Sequence, residues 1–288
     1  MTRIRTLSLN YGPHASQSAE VHLPRGAGPH PVVALLHGGL WRASQGRESM
    51  RPLARHLVRQ GFAVLNLEYR RIGEHGAGWP GTFLDAVDGV GLAGRGLRLG
   101  RAAREVHALD AQRVAIVGHC SGGHLALWAA AWLCGLRLGT AWIGPPQSDA
   151  SAAQVEVRAV VTLAAVTDLR AAEREGLGLP RPLAPVGGPP AAAALLGGTQ
   201  RAVAGRYRLG SPLDLLPLGR EVAQLLVHGD ADEIVPVEHS LRYARTAEQV
   251  GDRVRVANIP GMGHFDMLDP DHDAWRVALR HLEEHLRG

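Results

Sequence analysis

Residues 114–124, VAIVGHCSGGH, join an apolar run to a glycine-rich turn. The first four residues suit a buried strand, and the apolar segment at 125–133 suits a helix. Gly118 and Gly122 give the turn the spacing G-x-C-x-G. In the comparable G-x-S-x-G turn, the two glycines leave room for a strained backbone that presents the central side chain beyond the strand. The segment therefore predicts a strand, a sharp turn presenting Cys120, and a helix.

Apolar segments with strand and helix spacing alternate along the 288 residues. Continuous apolar runs indicate strands that are buried on both faces, as in parallel sheets covered by helices. We predict strands at 6–9, 20–23, 31–36, 62–67, 113–117, 157–163, 224–228 and 253–259, and helices at 48–60, from Pro80, and at 125–133, 236–250 and 271–286. This order predicts an α/β fold with a mostly parallel central sheet and helices on both faces, forming a single domain over residues 1–288.

Residues 164–218 are less regular and are rich in Ala, Gly, Pro and Arg. A short helix is expected at 190–196 and a loop at 181–190. Long irregular segments inside a compact domain are commonly functional. We therefore expect residues 164–218 to form a small internal cap or lid over the site.

The net charge is +4, and every cationic side chain is an arginine, because the chain has no lysine. The arginines are scattered among Asp and Glu instead of being grouped with aromatic residues, so we expect no nucleic-acid partner. No apolar run reaches about 18 residues, which argues against a membrane partner. The amino terminus has no apolar signal core, so we expect a cytoplasmic protein that acts on a small molecule. No pattern specifies an oligomeric state.

The chain has two cysteines and fifteen histidines, residue types that can form a disulfide or bind a metal ion. If Cys120 and Cys134 lie at the two ends of one helix, their Cα atoms are about 20 Å apart, from a rise of about 1.5 Å per residue. A disulfide needs Cα atoms within about 7 Å, so Cys120 and Cys134 should both be free, with Cys134 in the core. No C-x-x-C or H-E-x-x-H pattern occurs, so we expect neither a metal site nor a cofactor. Four histidines fall on predicted surface helices and should be solvated: His239, His272, His281 and His285.

Acid and base candidates follow two of the later strands. Asp232 follows the predicted strand at 224–228, with Asp230 as a neighbouring alternative, and His264 follows the strand at 253–259. Open parallel sheets place their sites at the carboxyl ends of the strands. A nucleophile, an acid and a histidine in this chain order can form a catalytic triad.

Four motifs in this order resemble α/β-hydrolases of the HGGxW esterase group, which includes the kynurenine formamidase-like enzymes. They are HGGLW at 37–41, GHCSGGH at 118–124, HGDADEIVP at 228–236 and GMGHF at 261–265. The resemblance covers nearly the whole chain, and it implies an α/β-hydrolase fold with Asp232 and His264 as triad members. It also implies an oxyanion hole formed by backbone N–H groups, with the candidates Gly38, Gly39, Leu40 and Ser121.

Residue 120 departs from this family, whose members usually read G-H-S-A-G-G. Cys120 can be the nucleophile of a Cys-His-Asp triad, as in dienelactone hydrolase-like members of the fold. There His264 would act as the base, and the helix N-terminus would stabilise a thiolate. In a second reading, Ser121 is the nucleophile of a turn shifted by one residue, although its N–H is wanted in the oxyanion hole. In a third, the site has lost hydrolysis and binds a ligand.

The first reading predicts a hydrolase that acts on a small carboxylic ester, a lactone or an arylformamide through an acyl-cysteine intermediate. A thioester intermediate also permits transfer to an amine or alcohol. An acyltransferase or cyclase of secondary metabolism is therefore an alternative, and a non-catalytic ligand-binding protein is another.

Residues around the triad have expected supporting roles. Trp41 and His119 are the candidates for contact with the substrate. Packing is the alternative for both: Trp41 against the cap, and His119 as a packing or hydrogen-bonding residue beside the turn. His37 should brace the oxyanion loop, whereas Glu68 and Tyr69 are expected to serve ordinary surface or salt-bridge purposes.

Overall fold

The computed structural model describes residues 5–94, 109–135, 155–178 and 189–287. In these ranges the chain forms one sheet of eight strands. The strands are β1 (Arg5–Asn10), β2 (Ser18–Leu23), β3 (His30–Leu36), β4 (Ala63–Leu67), β5 (Leu109–His119), β6 (Val157–Leu163), β7 (Ala223–Gly229) and β8 (Val254–Ile259).

The strand order is β1-β2-β4-β3-β5-β6-β7-β8. The first two strands run antiparallel, β1 against β2 and β2 against β4, and all the remaining pairs are parallel. The carboxyl ends of β3, β5, β7 and β8 therefore meet at one edge of the sheet. The segments that follow these four strands carry the four sequence motifs.

Helices cover both faces of the sheet. They are α1 (Arg51–Arg59), α2 (Gly81–Val90), α3 (Ser121–Leu133), α4 (Leu169–Arg174), α5 (Ala191–Leu196), α6 (Ala204–Gly210), α7 (Glu238–Gln249) and α8 (Asp273–Leu286). Short 3₁₀ turns lie at Arg47–Met50, Gly91–Ala93, Pro212–Leu215 and Asp266–Leu268.

Strand β3 shows why its apolar run is continuous. Val32, Ala34 and Leu36 point into a core shared with α2 and α3, whereas Val33 and Leu35 point into a second core shared with α1 and α8. Successive side chains of a strand face opposite sides of the sheet. Because both sides of the sheet are covered, the strand is apolar throughout and does not alternate between apolar and polar residues.

The α/β fold with a mostly parallel sheet is confirmed, and the predicted strands and helices are found in the predicted order. Strand β5 begins at Leu109, four residues earlier than expected, because it continues beyond the apolar run into the partly exposed residues 110–113. Residues 164–218 hold the short helices α4, α5 and α6. The loop expected at 181–190 lies, up to residue 188, outside the described residues.

Three expectations about individual side chains were wrong. Cys134 is exposed, because α3 leaves the core in its last turn; both cysteines are free, as expected. His239 and His281 are buried, since α7 and α8 turn them toward the interior and not toward solvent.

Among the described residues, no helix is long and apolar enough to cross a membrane.

Candidate active site

The turn between β5 and α3 holds Cys120 in an unusual backbone conformation. Its φ is 55° and its ψ is −119°, a region that residues with a side chain rarely adopt. Its N–H donates to the carbonyl of Leu163 at 2.8 Å, and its carbonyl accepts from the N–H groups of Gly123 and His124 at 3.0 and 3.2 Å. Such strain costs about 1–3 kcal/mol and persists only where the surroundings enforce it.

The glycines of the turn allow close approach of the main chain. A Cβ atom on Gly118 would lie 2.1 Å from the carbonyl oxygen of Gly122, and one on Gly122 would lie 2.1 Å from that of Leu36. No side chain fits at either position. The G-x-C-x-G spacing therefore reflects the packing of the turn against the end of β3.

The loop after β3 lies directly against this turn. A Cβ atom on Gly38 would lie 3.0 Å from Cβ of Cys120. Gly39 and Leu40 follow with φ angles of 112° and 51°. Within the described part of the chain, the N–H groups of Gly39 and Leu40 have no hydrogen-bond partner. The N–H of Ser121 lies in the first turn of α3, where N–H groups have no acceptor within the helix.

A buried network under this loop fixes its position. The His37 ring lies between two acceptors, with Nδ1 2.7 Å from the Gly38 carbonyl and Nε2 2.6 Å from Oε1 of Glu68. Tyr69 stacks on this ring and donates its hydroxyl to the His37 carbonyl at 2.8 Å. Burial is the largest influence on Glu68 and raises its pKa. The hydrogen bond and charge of His37, together with Arg71 and the N–H of Arg47, outweigh burial and lower the pKa of this carboxyl.

His37 thus braces the loop, as expected, but Glu68 and Tyr69 belong to the same network and are not surface residues. Their position just after β4 was the available signal, because β4 neighbours β3 in the sheet.

The loops after β7 and β8 bring Asp232 and His264 together. Oδ2 of Asp232 lies 2.7 Å from Nδ1 of His264, and Oδ1 accepts the N–H groups of Ile234 and Val235 at 2.8 and 2.9 Å. His228 approaches the same carboxylate at 3.4 Å. Burial raises the pKa of Asp232, yet these hydrogen bonds dominate and hold it well below its usual range.

Asp230, the alternative acid, is exposed and serves the loop itself. Its Oδ1 accepts the N–H of Gly261 at 2.6 Å, which ties the segment after β7 to the segment that carries His264. Only Asp232 therefore contacts the imidazole.

His264 faces Cys120 in the same cleft. Burial disfavours the imidazolium, but the hydrogen bond to Asp232 and the interaction with Cys120 outweigh burial and raise the pKa of His264 to about 9. At neutral pH the imidazole is therefore mostly protonated, so the proton exchanged between Cys120 and His264 lies mainly on His264. With Nδ1 occupied by Asp232, its Nε2 is the nitrogen left for Cys120 and a substrate.

The cleft has a volume of about 180 Å³. Cys120, His264, Gly39 and Leu40 line it. The lining also includes polar side chains and apolar side chains, which are those of Arg42, Ser44 and Gln45, and those of Ile234 and Phe265. Phe265 is 51% exposed beside the His264 ring, so it offers an apolar surface at the entrance.

Ser121 does not line the cleft. It is fully buried, and its Oγ accepts the N–H of Trp41 at 3.3 Å. Of the two adjacent side chains that carry a nucleophilic atom, only Cys120 faces the space where a substrate fits.

Trp41 was expected to contact the substrate, and the structure contradicts this. Its side chain is fully buried, with Nε1 3.3 Å from Nδ1 of His124. The left-handed backbone at Leu40 and Trp41, with φ of 51° and 58°, turns the indole behind the loop and into the core.

His119 does line the cleft, and its Nε2 lies 3.0 Å from the carbonyl oxygen of His264. Burial, followed by the neighbouring charge of His264, lowers the pKa of His119 to about 3. His119 is therefore neutral, and because a carbonyl only accepts, Nε2 carries the proton of this hydrogen bond.

Comparisons with known proteins identify the family and the fold. The BD-FAE family model matches residues 20–246. No curated protein sequence matches the chain.

Among solved structures, a truncated carbohydrate esterase from gut microbiota has a TM-score of 0.77 at 22% identity, with 100% of this chain and 97% of that one covered. A bifunctional GH43-CE protein of Bacteroides eggerthii has a TM-score of 0.76 at 20% identity, over 96% of this chain and 37% of that one. Esterase 2 of Thermogutta terrifontis has a TM-score of 0.69 at 19% identity, over 97% and 92%.

These likenesses concern the fold, whereas the family model matches well over half of the chain. The chain therefore belongs to the BD-FAE family and is an α/β-hydrolase of the esterase type.

Proposed function

We propose that this protein hydrolyses small carboxylic esters, including lactones, through an acyl-cysteine intermediate on Cys120. One observation carries the proposal: Cys120 opens into the cleft beside a His264 that is oriented by Asp232, while Ser121 is buried under Trp41. A nucleophile, a base and a group that orients the base are the three parts that nucleophilic catalysis needs.

The reaction follows from these positions. His264 accepts the thiol proton of Cys120, and the sulfur attacks the ester carbonyl. The carbonyl oxygen, now negative, is stabilised by the N–H groups of Gly39, Leu40 and Ser121. His264 then gives the proton to the departing alcohol, leaving a thioester. Water, deprotonated by His264, attacks the thioester, and the acid leaves as Cys120 regains its proton. Each backbone donor of this kind contributes on the order of 3 kcal/mol to such a transition state.

The cleft and the sulfur limit the substrate. A volume of about 180 Å³ is below the range of about 300–1,000 Å³ that is typical of drug-sized ligands, which favours a small acyl group. A thiolate is also a good leaving group, so a tetrahedral intermediate with a poor amine expels sulfur instead of nitrogen. Esters, lactones and activated formamides are therefore favoured over ordinary amides.

Mass spectrometry after incubation with a short p-nitrophenyl ester tests the proposal. The acyl group should be found on the peptide that contains Cys120, and Cys120→Ala should abolish both the adduct and turnover. Cys134→Ala is the matched control, because it removes the only other thiol and leaves the cleft unchanged. An adduct on Ser121, or full turnover by Cys120→Ala, would contradict the proposal.

Product analysis with an added amine or alcohol addresses the fate of the acyl group. Hydrolysis predicts that the free acid remains the main product as the acceptor concentration rises. A product that is mainly the amide or the new ester would identify a transferase instead, and ligand binding without turnover would identify a binding protein.

A further inference from the structure

A second cluster of ionisable side chains lies on α8, outside the cleft. His281, Glu284 and His285 stand at positions i, i+3 and i+4, so they share one face of the helix. One ligand atom from each lies within 4.8 Å of the others. In the described residues this is the one group of His, Cys, Asp or Glu with the spacing that a metal ion needs. From the sequence, we expect solvated histidines here and no metal site.

His281 provides the strongest observation. It is 5% exposed, and its Nε2 lies 3.3 Å from the carbonyl oxygen of Ala223. A carbonyl only accepts, so Nε2 carries the ring proton and Nδ1 carries a lone pair. Nδ1 is buried and has no hydrogen-bond partner within the described ranges. Metal-binding histidines commonly donate their other ring N–H to a carbonyl in this way, which orients the ligating nitrogen.

His285 and Glu284 complete the cluster. The rings of His281 and His285 lie edge to face with centroids 4.5 Å apart, and Nε2 of His285 lies 3.8 Å from Oε1 of Glu284. Both histidines line a surface cavity of about 250 Å³. An ion and its water ligands therefore have room and a route from solvent.

The charges around the cavity are mixed. Arg255 lies 3.2 Å from Oε2 of Glu284, and Arg253 lines the same cavity. Both partners of the Arg255–Glu284 pair are about half exposed or more, and exposed pairs contribute little free energy. The carboxylate of Glu284 is therefore available to a divalent cation that displaces the guanidinium.

We propose that His281, Glu284 and His285 bind one Zn²⁺ ion, with water in the remaining position. Two imidazoles and one carboxylate are a ligand set that zinc accepts, at about 2.0–2.2 Å from each donor atom. In a tetrahedral site two such ligands lie about 3.3–3.6 Å apart. The ligand atoms lie within 4.8 Å of one another here, so the side chains need to close by about 1 Å on binding. The movement falls mainly on Glu284, whose side chain is 49% exposed, because the His285 side chain is only 13% exposed and His281 is held by Ala223.

Isothermal titration with Zn²⁺ tests this site. The titration uses the full chain carrying Cys120→Ala and Cys134→Ala, so that thiols do not bind the ion. We expect one Zn²⁺ per chain, and Glu284→Gln and His285→Ala should each weaken binding by at least about tenfold. The Glu284 side chain is 49% exposed, so Glu284→Gln leaves the core intact. The His285 side chain is 13% exposed, so the unfolding temperature of His285→Ala without zinc is compared with that of the parent. His75→Ala, at an exposed histidine elsewhere, is the matched control and should bind like its parent.

Thermal unfolding gives a second readout that is independent of enzyme activity. A bound ion stabilises the folded state by mass action, so Zn²⁺ should raise the unfolding temperature of the parent and of His75→Ala, and should do so less in the two site variants. No zinc binding by the parent, or equal affinity in the parent and both site variants, would overturn the proposal.

Discussion

His119 Nε2 lies 3.0 Å from the carbonyl oxygen of His264, so the turn that presents the sulfur also holds the loop that carries the base. Replacing His119 with Phe keeps an aromatic ring but removes the donor. The buried carbonyl then loses its partner, at a cost of about 1–3 kcal/mol, and His264 is less firmly placed. We expect a lower unfolding temperature and a kcat that falls more than KM rises, measured by thermal unfolding and steady-state kinetics. Unchanged kcat would show that this bond does not position the base.

The pKa of His264 should depend on Cys120. In the wild-type protein, an NMR titration of the imidazole should give a value of about 9. Cys120→Ala removes one of the interactions that raise it, so the pKa should fall, whereas Cys134→Ala should leave it unchanged. The hydrogen bond from Asp232 is the interaction that raises the pKa of His264 most strongly, so Asp232→Asn should lower this pKa as well. Equal values in wild type and Cys120→Ala would mean that the two side chains do not interact.

Stability should fall as the pH rises from neutral to alkaline. His264 binds its proton more tightly when folded, with a pKa of about 9 against 6.5 for the free side chain. Its contribution is therefore fully present below pH 6.5 and is lost as the pH rises through 9, amounting to about 3 kcal/mol in the free energy of unfolding. Urea unfolding at pH 6 to 10 measures it, with His264→Gln as the comparison, which should lack this dependence.

Two glycine substitutions should act in opposite directions. Gly122→Ala places a methyl group against the carbonyl of Leu36, so we expect a loss of at least about 3 kcal/mol or failure to fold. Gly205→Ala in α6 meets no atom within 4 Å and should stabilise the protein by about 0.5–1 kcal/mol. Chemical denaturation measures both. A tolerated Gly122→Ala would mean that the turn relaxes more easily than its packing indicates.

Ser121→Ala separates a supporting role from a chemical one. The variant leaves the buried N–H of Trp41 without its acceptor, which should cost about 1–3 kcal/mol. The backbone N–H at position 121 is retained, so acyl transfer to Cys120 should persist, with kcat within about tenfold of wild type. Complete loss of acylation in a folded Ser121→Ala protein would favour the serine as nucleophile.

Much of the fold could be predicted because its signals are local. Apolar runs such as 31–36 mark strands buried on both faces, and the spacing of Gly118 and Gly122 marks the sharp turn. The shared edge of a parallel sheet indicated that Asp230, Asp232 and His264 lie near one another, and the resemblance to the esterase group then favoured Asp232 over Asp230.

The remaining features depend on contacts between distant segments. Trp41 lies behind its loop because Leu40 and Trp41 adopt left-handed backbone angles that neither residue type favours. His281 is buried because α8 packs on β7, which is far from it in the chain. The sequence indicates His228 only as part of a motif, but in the structure its Nε2 lies 3.4 Å from Oδ2 of Asp232, the oxygen that also contacts His264.

The close packing around Gly118 and Gly122 has a consequence for how such a site changes over time. Main-chain atoms hold residue 120 in its strained conformation, so the frame does not depend on which side chain that residue bears. A serine oxygen or a cysteine sulfur at residue 120 therefore occupies the same place, although the two atoms differ in chemistry. A single replacement at residue 120 can therefore change which substrate bonds are broken and which acceptor takes the acyl group, while the fold stays the same.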